Sequence, residues 1–478
     1  MGSDSIRSEA SYKRLETQFS EKQWVVHIKT CLEDARARGI VRPPSIFMAS
    51  SPLRSLKHED FVPQVVAIGP YHSDLGPHHS SFPENQETER YKAIAAKEME
   101  KHKVMASKFL ERTLKKNDFC SLANEFLEYI NQIREEYDTE LVSCQVDEKL
   151  AYMLALDSTF VVEVLRSNAG LKCGFHDYYC SRFPRPLRKS ILQDFVLLEN
   201  QIPLFLLLKV MALDKGCGSI ASAEESLAPL IQKVAHEVLP FSLLSNESVH
   251  SVIGRLSERK HLLDCLYRIA THGGASASSS PNSRSSAEQL VEKPTHFPRA
   301  VELFNSGITF KGIEPANIIG VKYDAKKAIL YVPKIRVGDD TERLFRNLTA
   351  YESHLIDEVH VLSYLRFMNS LVDGPDDVAL LLEKGVLAQD IGSNEEVASM
   401  WNRLCINTMR VCSVEYEHVA QQLLRHCQYR PNALKAEFKR TYLSRPWLVV
   451  SVLSAASLLV MTLLITIYTV ELYNKDEG

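Results

Sequence analysis

An uncharged run near the end of the chain constrains the fold more than any other feature. The sequence from Pro446 to Val470, PWLVVSVLSAASLLVMTLLITIYTV, holds 25 residues without a charged side chain. As a helix it would extend about 37 Å at ~1.5 Å per residue, enough to cross a hydrocarbon core of about 30 Å with some tilt. A buried core helix is the alternative, but few soluble helices stay apolar on every face for so long. The run predicts one transmembrane helix, with the lipid bilayer as a partner through residues 446–470.

Basic residues beside this run set its expected orientation. Lys435, Lys439, Arg440 and Arg445 precede the run, whereas Lys475 is the one basic residue after it. The positive-inside rule then predicts a cytoplasmic N-terminal part and a short tail on the other side of the membrane. This is a tail-anchored, single-pass architecture, and the sequence leaves open which membrane carries it.

The composition of the whole chain narrows the class of protein. The chain is 45% hydrophobic and 24% charged, which is ordinary for globular domains, and its net charge of −4 argues against nucleic-acid binding. Ten cysteines without dense spacing are typical of reduced thiols in an intracellular protein. The N-terminus has no apolar signal region, and Ile6 stands where the myristoylation pattern wants Ser or Thr.

Hydrophobic periodicity predicts a mainly α fold with a small β component. Residues 87–114 read as an amphipathic helix, and residues 151–166 are apolar on most faces and read as a buried helix. The β component is a short strand near residues 65–68 and a hairpin near residues 318–337. Helix dominates, so the class is a multi-helix globular domain with a C-terminal transmembrane helix.

Composition shifts divide the chain into six parts. The front of the stretch from Thr271 to Lys293 is mostly Gly, Ser, Ala and Pro, which is typical of a flexible linker or loop. The predicted parts are an N-terminal helical segment (1–45), a helical N-terminal half (46–270), the linker (271–293), a C-terminal half with the hairpin (294–440), the transmembrane helix (446–470) and a short tail (471–478).

The stretch DFVLLENQIPLFLLLKV, which begins at Asp194, is apolar except for a polar interruption in its middle. It is too short to span a membrane and predicts a central core helix. Pro203 lacks an N–H, so it leaves the carbonyl of Glu199 unbonded and kinks or ends the helix there. Asn200 and Gln201 are placed to supply the missing hydrogen bonds.

Four acids lie beside apolar segments and are the candidates for acid/base chemistry: Asp157, Glu163, Asp194 and Glu199. Within one helix the acids of each neighbouring pair would lie more than about 100° apart, so pairing would need two different elements. Caps and buried hydrogen-bond partners are the more frequent roles of such acids. The sequence therefore predicts no catalytic residue.

Two stretches could suggest a metal, and neither has a full ligand set. CGFHDYYC places Cys173, His176 and Cys180 within eight residues, but no fourth ligand follows at a paired spacing. The flanking Gly, Phe and Tyr suggest a loop. The second stretch holds His72, His78 and His79, of which the last two are adjacent to each other. No two of these histidines have the i, i+4 spacing of a helical metal site. We expect no metal and no cofactor.

Several motifs, taken in order, resemble one known family. They are FVPQVVAIGPYH, DFVLLENQIPLFLL, HLLDCLYR, AVELFNSGITFK, RLFRNLTAYE, DDVALLLEKGVLAQDIGSNEEVASMWNRLC and the final apolar run. From about Ile46 onward they resemble the plant family known as domain of unknown function 247. The pairing of GPYH with LLENQIP is specific to that resemblance. Ser158 and Thr159 depart from the Gly-Cys that relatives often carry, so thiol chemistry has no nucleophile at that point.

The resemblance implies a mostly helical plant protein with one C-terminal membrane span and no established enzyme activity. Some relatives are linked to self-incompatibility in grasses, which favours recognition over catalysis. We therefore expect a membrane-anchored protein-interaction module with an unknown protein partner. The alternative is a membrane-bound hydrolase that uses buried carboxylates or a metal.

Two glycosylation acceptor patterns bear on topology. NES at Asn246 and NLT at Asn347 would be modified if their sites faced the lumen and were accessible. The charge bias around the span and the absence of a signal peptide predict that neither is glycosylated. Asn347 also falls in a predicted helix.

Overall fold

The computed structural model describes most of the chain as a helical protein in two compact units, Met1–Pro44 and Ser45–Gly478. In the first unit, residues 24–26 and 28–30 are helical. The described residues are 24–26, 28–30, 43–73, 86–112, 118–138, 146–171, 174–213, 218–242, 252–272, 297–314, 317–355, 359–390, 392–408, 413–429 and 446–476. Most of the predicted 271–293 linker lies outside these residues, as do His78 and His79.

The N-terminal half of the second unit is helical. Its helices are α1 (Ser51–Arg54), α2 (Gln86–Glu111), α3 (Phe119–Glu128), α4 (Ile130–Glu136), α5 (Asp147–Asn168), α6 (Gly174–Arg182), α7 (Arg185–Asp194), α8 (Leu204–Leu213), α9 (Ile220–Val238) and α10 (Leu262–His272). Short 3-10 turns cover His58–Asp60 and Leu256–Glu258.

The C-terminal half mixes helices with five short strands. Its helices are α11 (Ala300–Asn305), α12 (Thr341–Glu352), α13 (His360–Leu371), α14 (Pro375–Glu383), α15 (Asn394–Leu404), α16 (Val414–Gln428) and α17 (Pro446–Asp476). Its strands are β1 (Thr309–Ile313), β2 (Lys322–Asp324), β3 (Ile329–Pro333), β4 (Ile335–Val337) and β5 (Leu387–Gln389). The mainly α class with a small β component is therefore confirmed.

Helix α5 forms the centre of the N-terminal half, as the apolar sequence from residue 151 to 166 predicts. It packs against α2, α3 and α8, and its side chains from Asp157 to Ser167 are all buried. A helix enclosed on all sides cannot be amphipathic, because every face meets other protein atoms. The core therefore includes polar side chains that need partners inside the protein.

The predicted hairpin is confirmed, and the sheet around it is larger than the prediction. β2 and β3 pair antiparallel, and β1 joins β3 in parallel to give the order β1, β3, β2. Residues 318–320, which lie at the start of the predicted hairpin, form a 3-10 turn and no strand. Residues 335–337, predicted to continue β3, leave this sheet as β4 and pair in parallel with β5.

The predicted strand at residues 65–68 is wrong. This stretch belongs to no sheet, because the side chains of Asp194 and Asn200 accept hydrogen bonds from its backbone N–H groups in place of a neighbouring strand. An apolar run between prolines needs hydrogen-bond partners for its buried backbone, and buried side chains meet that need as well as a strand does.

The predicted central core helix is two helices separated by a non-helical connection. Helix α7 ends at Asp194, residues 195–203 form turns, and α8 begins at Leu204. Pro203 immediately precedes α8, where its missing N–H costs no helical hydrogen bond, whereas α7 already ends at Asp194. The connection is buried almost throughout, which makes its hydrogen bonds decisive for the fold.

Candidate functional site

Residues 45–73, here called the docked segment, lie against buried polar side chains from several helices. These side chains come from α5, the end of α7, the connection between α7 and α8, and α12. The docked segment includes FVPQVVAIGPYH, and the connection includes LLENQIP. The two motifs that most clearly carried the family resemblance therefore lie in direct contact.

Asp194, the last residue of α7, holds the middle of the docked segment. Its Oδ2 accepts from the backbone N–H groups of Val65 and Val66 at 2.7 and 2.9 Å, and its Oδ1 accepts from Gln64 at 2.9 Å. Arg343 on α12 donates to Oδ1 at 3.1 Å. Burial raises the pKa of the Asp194 carboxyl, and the backbone N–H groups oppose that shift. The carboxylate is committed to the backbone and is fully buried.

Asn200 bonds to both the docked segment and the end of α7. Its Oδ1 accepts from the Ile68 N–H at 2.7 Å, while its Nδ2 donates to the carbonyl oxygens of Val66 at 3.0 Å and Asp194 at 2.9 Å. These bonds take the place of the strand–strand backbone hydrogen bonds that residues 65–68 lack. Asn200 therefore bonds to the end of α7 and to the docked segment, and the bond to the Glu199 carbonyl that the sequence predicted is not among these contacts.

Gln201 provides hydrogen bonds to backbone carbonyl groups of the connection between α7 and α8. Its Nε2 donates to the carbonyl oxygens of Phe195 at 2.8 Å and Leu197 at 2.7 Å, and its Oε1 accepts from the Leu263 N–H at 3.1 Å. The connection is thus tied to the start of α10. A buried amide with this many partners fixes one backbone geometry.

Asp157 accepts a hydrogen bond from the glycine of the GPYH turn. Its Oδ2 accepts from the Gly69 N–H at 2.9 Å, and its Oδ1 lies 2.7 Å from the Lys103 ammonium of α2. Burial disfavours the charged ammonium, but the Asp157 and Glu100 carboxylates outweigh it and raise the pKa of Lys103. The pair is therefore a buried ion pair that also anchors backbone.

Glu199 contacts the two ends of the docked segment. Its Oε1 accepts from the Ala49 N–H at 3.1 Å, and its Oε2 lies 3.4 Å from the Arg54 guanidinium and 3.3 Å from His72 Nε2. Arg54 Nε also donates to His58 Nδ1 at 2.9 Å. Burial, with the Arg54 charge next, lowers the pKa of His58. This cluster joins an acid, a guanidinium and two imidazoles near the surface.

Three of the four acids named from the sequence therefore meet the same segment. Asp157, Asp194 and Glu199 all bind backbone N–H groups of the docked segment. Glu163 does not: it pairs with Arg166 one turn further along α5, at 2.9 Å. The arrangement orients and holds a chain segment, which is the role of buried hydrogen-bond partners.

A second buried network was not predicted. Glu342 on α12 lies 2.7 Å from the Arg346 guanidinium, 2.9 Å from that of Arg403 and 3.5 Å from the Lys57 ammonium. Burial alone would raise the pKa of Glu342, but these cations lower it to about 2. Asp60 joins through Arg346 at 3.1 Å. Sequence spacing could indicate the Glu342–Arg346 pair, which is four residues apart on α12, but not its contacts with Asp60 and Arg403, which are distant along the chain.

Asn347, singled out from the sequence as a glycosylation pattern, is a structural residue. Its Nδ2 donates to the carbonyl oxygens of Asp60 and Arg343 at 2.8 Å, and its Oδ1 accepts from the Leu198 N–H at 2.8 Å. Its side chain is fully buried. Asn246 lies outside the described residues.

Residues 174–180, GFHDYYC, lie in helix α6 and not in the predicted loop. The helical turn places His176 Nε2 3.7 Å from Cys180 Sγ. Cys173 lies outside the described residues. Within the described part of the chain, no three His, Cys, Asp or Glu side chains are grouped as metal ligands.

Comparison with known proteins places the chain among plant proteins. The putative UPF0481 protein At3g02645 of Arabidopsis thaliana is 23% identical over 93% of this chain and 94% of its own length. UPF0481 protein At3g47200 of the same plant is 25% identical over 92% of this chain and 87% of its own length. No solved structure matches the chain. The family model described as plant protein of unknown function matches residues 46–461. The chain therefore belongs to the plant family known as domain of unknown function 247.

Proposed function

We propose that the protein is a C-terminally anchored, single-pass membrane protein whose large N-terminal domain recognises another protein without catalysis. Helix α17 carries the first part of this proposal. It is long and apolar enough to cross a bilayer, and none of the window Leu453–Val470 is buried against the rest of the protein. Apolar side chains exposed over such a length need lipid around them.

The hydroxyl groups of α17 also suit a membrane. Each described Ser and Thr of the span donates to the carbonyl four residues earlier, as Ser454 does to Val450 at 2.9 Å and Thr466 to Thr462 at 2.8 Å. In hydrocarbon an unbonded hydroxyl is costly, so these internal bonds support the membrane assignment. The basic residues before the span support a cytoplasmic domain.

The proposal of recognition rather than catalysis rests on the contacts that the buried carboxylates make. Asp157 and Asp194 use both carboxylate oxygens for backbone and cation contacts. A general acid or base needs an oxygen within reach of a substrate proton, and these oxygens are already occupied. Their geometry favours a rigid domain that presents a fixed surface.

The hydrolase alternative has one favourable observation, the contact between His72 and Glu199. An imidazole 3.3 Å from a carboxylate resembles the base and orienting acid of hydrolytic sites. Glu199 is also tied to Ala49 and Arg54, and among the described residues no Ser, Thr or Cys is hydrogen-bonded to His72. We therefore keep the membrane-bound hydrolase as the second candidate function.

Alkaline carbonate extraction and protease treatment of sealed microsomes test the anchor and its orientation. The full-length chain should stay in the pellet, a chain truncated before Arg445 should be soluble, and protease should digest the N-terminal domain. Release of the full-length chain, or protection of the domain, would contradict the anchor or the topology respectively.

Cross-linking in intact membranes tests recognition. We expect a discrete conjugate of the full-length chain with another protein, and no change in that conjugate when His72 is replaced by Gln. A chain that stays uncross-linked but hydrolyses esters, with hydrolysis lost in His72→Gln and Glu199→Gln, would favour the hydrolase.

A further inference from the structure

Helix α6 carries a partly exposed cysteine, Cys180, whose sulfur contacts two other side chains. His176 Nε2 lies 3.7 Å from Cys180 Sγ, and Arg188 donates from Nη1 to the same sulfur at 3.2 Å. His176 and Cys180 are four residues apart and so lie on one face of α6, whereas Arg188 lies on α7. The sulfur therefore lies between a base and a cation.

The backbone fixes the position of the proton on His176. Its Nδ1 lies 3.2 Å from the carbonyl oxygen of Ser167, near the end of α5. A carbonyl oxygen can only accept a hydrogen bond, so Nδ1 carries the proton of the neutral imidazole and Nε2 carries the lone pair. That lone pair faces the Cys180 sulfur and can take the thiol proton. Activated nucleophiles have this arrangement, in which a third group orients the base.

The Arg188 guanidinium brings a positive charge to the sulfur. In the part of the chain that the structure describes, Arg188 forms no ion pair with a carboxylate, and its Nε has no hydrogen-bond partner. A charged N–H that donates to sulfur stabilises the anionic thiolate, which is the nucleophilic form of cysteine. Arg188 and His176 therefore both favour a reactive sulfur.

A buried hydroxyl next to these groups lacks a partner. Tyr179 is fully buried, and its Oη forms no hydrogen bond with any described residue. Burial raises the pKa of Tyr179, and the Arg188 charge opposes that shift, so the hydroxyl lies within electrostatic reach of the guanidinium. A buried O–H without an acceptor is costly. An oxygen atom on the Cys180 sulfur would bring an acceptor to this cluster.

Three other described thiols have surroundings that suit reaction less well. Cys265 is fully buried, and burial raises the pKa of its thiol. Cys427 is partly buried like Cys180, but burial raises the pKa of the Cys427 thiol as well. Cys120 is exposed, and its sulfur interacts with the neutral Tyr152 hydroxyl. The base and the cation, and not exposure, therefore set Cys180 apart.

We propose that Cys180 is a redox-sensitive thiol that a hydroperoxide oxidises to a sulfenic acid. His176 takes the thiol proton, and the sulfur attacks one oxygen of the peroxide. An S–O bond forms as the O–O bond breaks, and the leaving oxygen takes the proton from His176. With hydrogen peroxide the leaving group is water. The sulfur loses two electrons, which the peroxide gains. None of these residues binds the docked segment, so the site is separate from the proposed recognition function.

Site-resolved mass spectrometry of the full-length chain in detergent micelles tests this proposal. Less than one equivalent of hydrogen peroxide is added together with dimedone, which traps sulfenic acids, and the labelled peptides are quantified over time. Cys180 should be labelled roughly tenfold or more faster than Cys120 and Cys427 of the same chain. In urea this advantage should disappear, because unfolding removes the contacts with His176 and Arg188.

Two variants test the residues that activate the sulfur. Arg188→Met and His176→Gln should each slow the labelling of Cys180 roughly tenfold. Arg185→Met is the matched control, because Arg185 is an exposed arginine of the same helix and does not bond to the sulfur. This control should be labelled at the parent rate. Thermal unfolding of each variant shows whether it is folded, and the comparison of thiols within the parent chain needs no variant.

Two results would overturn the proposal. The first is a folded parent chain in which Cys180 is labelled no faster than Cys427. The second is a folded Arg188→Met protein in which Cys180 is labelled as fast as in the parent. Equal slowing in Arg185→Met and Arg188→Met would equally contradict the assigned contact, since a general field of positive charge would then explain the reactivity.

Discussion

Gly69 and Gln201 lie so close that a Cβ atom on Gly69 would stand 2.7 Å from the Gln201 carbonyl oxygen. Gly69 also has a φ of +69°, in the left-handed region that favours glycine. The Tyr137 hydroxyl donates to the same carbonyl at 3.0 Å. The GPYH turn therefore packs closely against the LLENQIP connection. Position 69 requires glycine for two reasons: there is no room for a Cβ atom, and the φ angle is positive.

Replacing Gly69 by Ala should destabilise the protein strongly. The positive φ costs about 1 kcal/mol for an alanine, and the contact with Gln201 adds roughly 1–3 kcal/mol because backbone must move. Denaturant unfolding of the full-length chain in detergent measures the loss. Gly170→Ala is the matched control, since Gly170 has a φ of +76° with nothing within 4 Å of the added carbon. Equal losses for the two variants would contradict the proposed close contact.

Replacing Asp194 by Asn should cost about 3 kcal/mol of stability. The new side-chain amide would place an N–H opposite the backbone N–H groups that now donate to the carboxylate. It would also leave the Arg343 guanidinium without its anionic partner. Limited proteolysis should then cut within the docked segment before the rest of the domain.

Asp147→Asn is the comparison for that variant. Asp147 is 55% exposed and pairs with Arg134, so its loss should change stability by no more than about 0.5 kcal/mol. An Asp194→Asn protein as stable as this one would show that Asp194 does not hold the docked segment.

Glu342 should give the protein a stability that fades in acid. Its pKa of about 2 lies below the ordinary value, so the folded state gains from ionisation of the group. The gain is complete above about pH 4.3, the value expected for an unfolded glutamate, and is lost as the pH falls toward the folded value. Glu342→Gln should therefore be about 1–2 kcal/mol less stable than the parent at neutral pH, after allowance for solvent screening.

Urea unfolding of both proteins at several pH values down to about pH 2.5 checks this window. The difference between them should shrink as the pH falls below about 4. A difference that stays constant with pH would mean that Glu342 acts by packing and not by charge.

A lysine in the middle of α17 should weaken membrane anchoring. Leu458→Lys places an ammonium near the centre of the span, at a cost of about 2.5–3.5 kcal/mol for insertion. Val470→Lys is the matched control, because a lysine near the end of the span can extend its ammonium to the interface. The carbonate-resistant fraction should fall for the first variant and stay unchanged for the second. If the two variants resisted carbonate extraction equally, that result would argue against a membrane span centred on residue 458.

The sequence by itself determined the features that depend on local chemistry. A run of 25 uncharged residues predicts one long apolar helix, and α17 is that helix. Pro203 cannot donate a helical hydrogen bond, so the sequence predicts that no regular helix runs unbroken through it. The break itself begins earlier, after Asp194. The helical class and the β2–β3 hairpin rest on periodicity and on turn residues in the same way.

Only the tertiary structure decided which groups meet across long separations. Asp194 and Val66 are 128 positions apart, and Asn347 and Asp60 are 287 apart. The pattern of residues 65–68 fits a strand, because alternating and continuous apolar runs report burial but not the identity of the hydrogen-bond partner. Whether an extended segment bonds to a strand or to buried side chains depends on which elements pack beside it. That choice belongs to the whole fold, since the free energy of a buried backbone N–H is set by whatever acceptor the packed core brings to it.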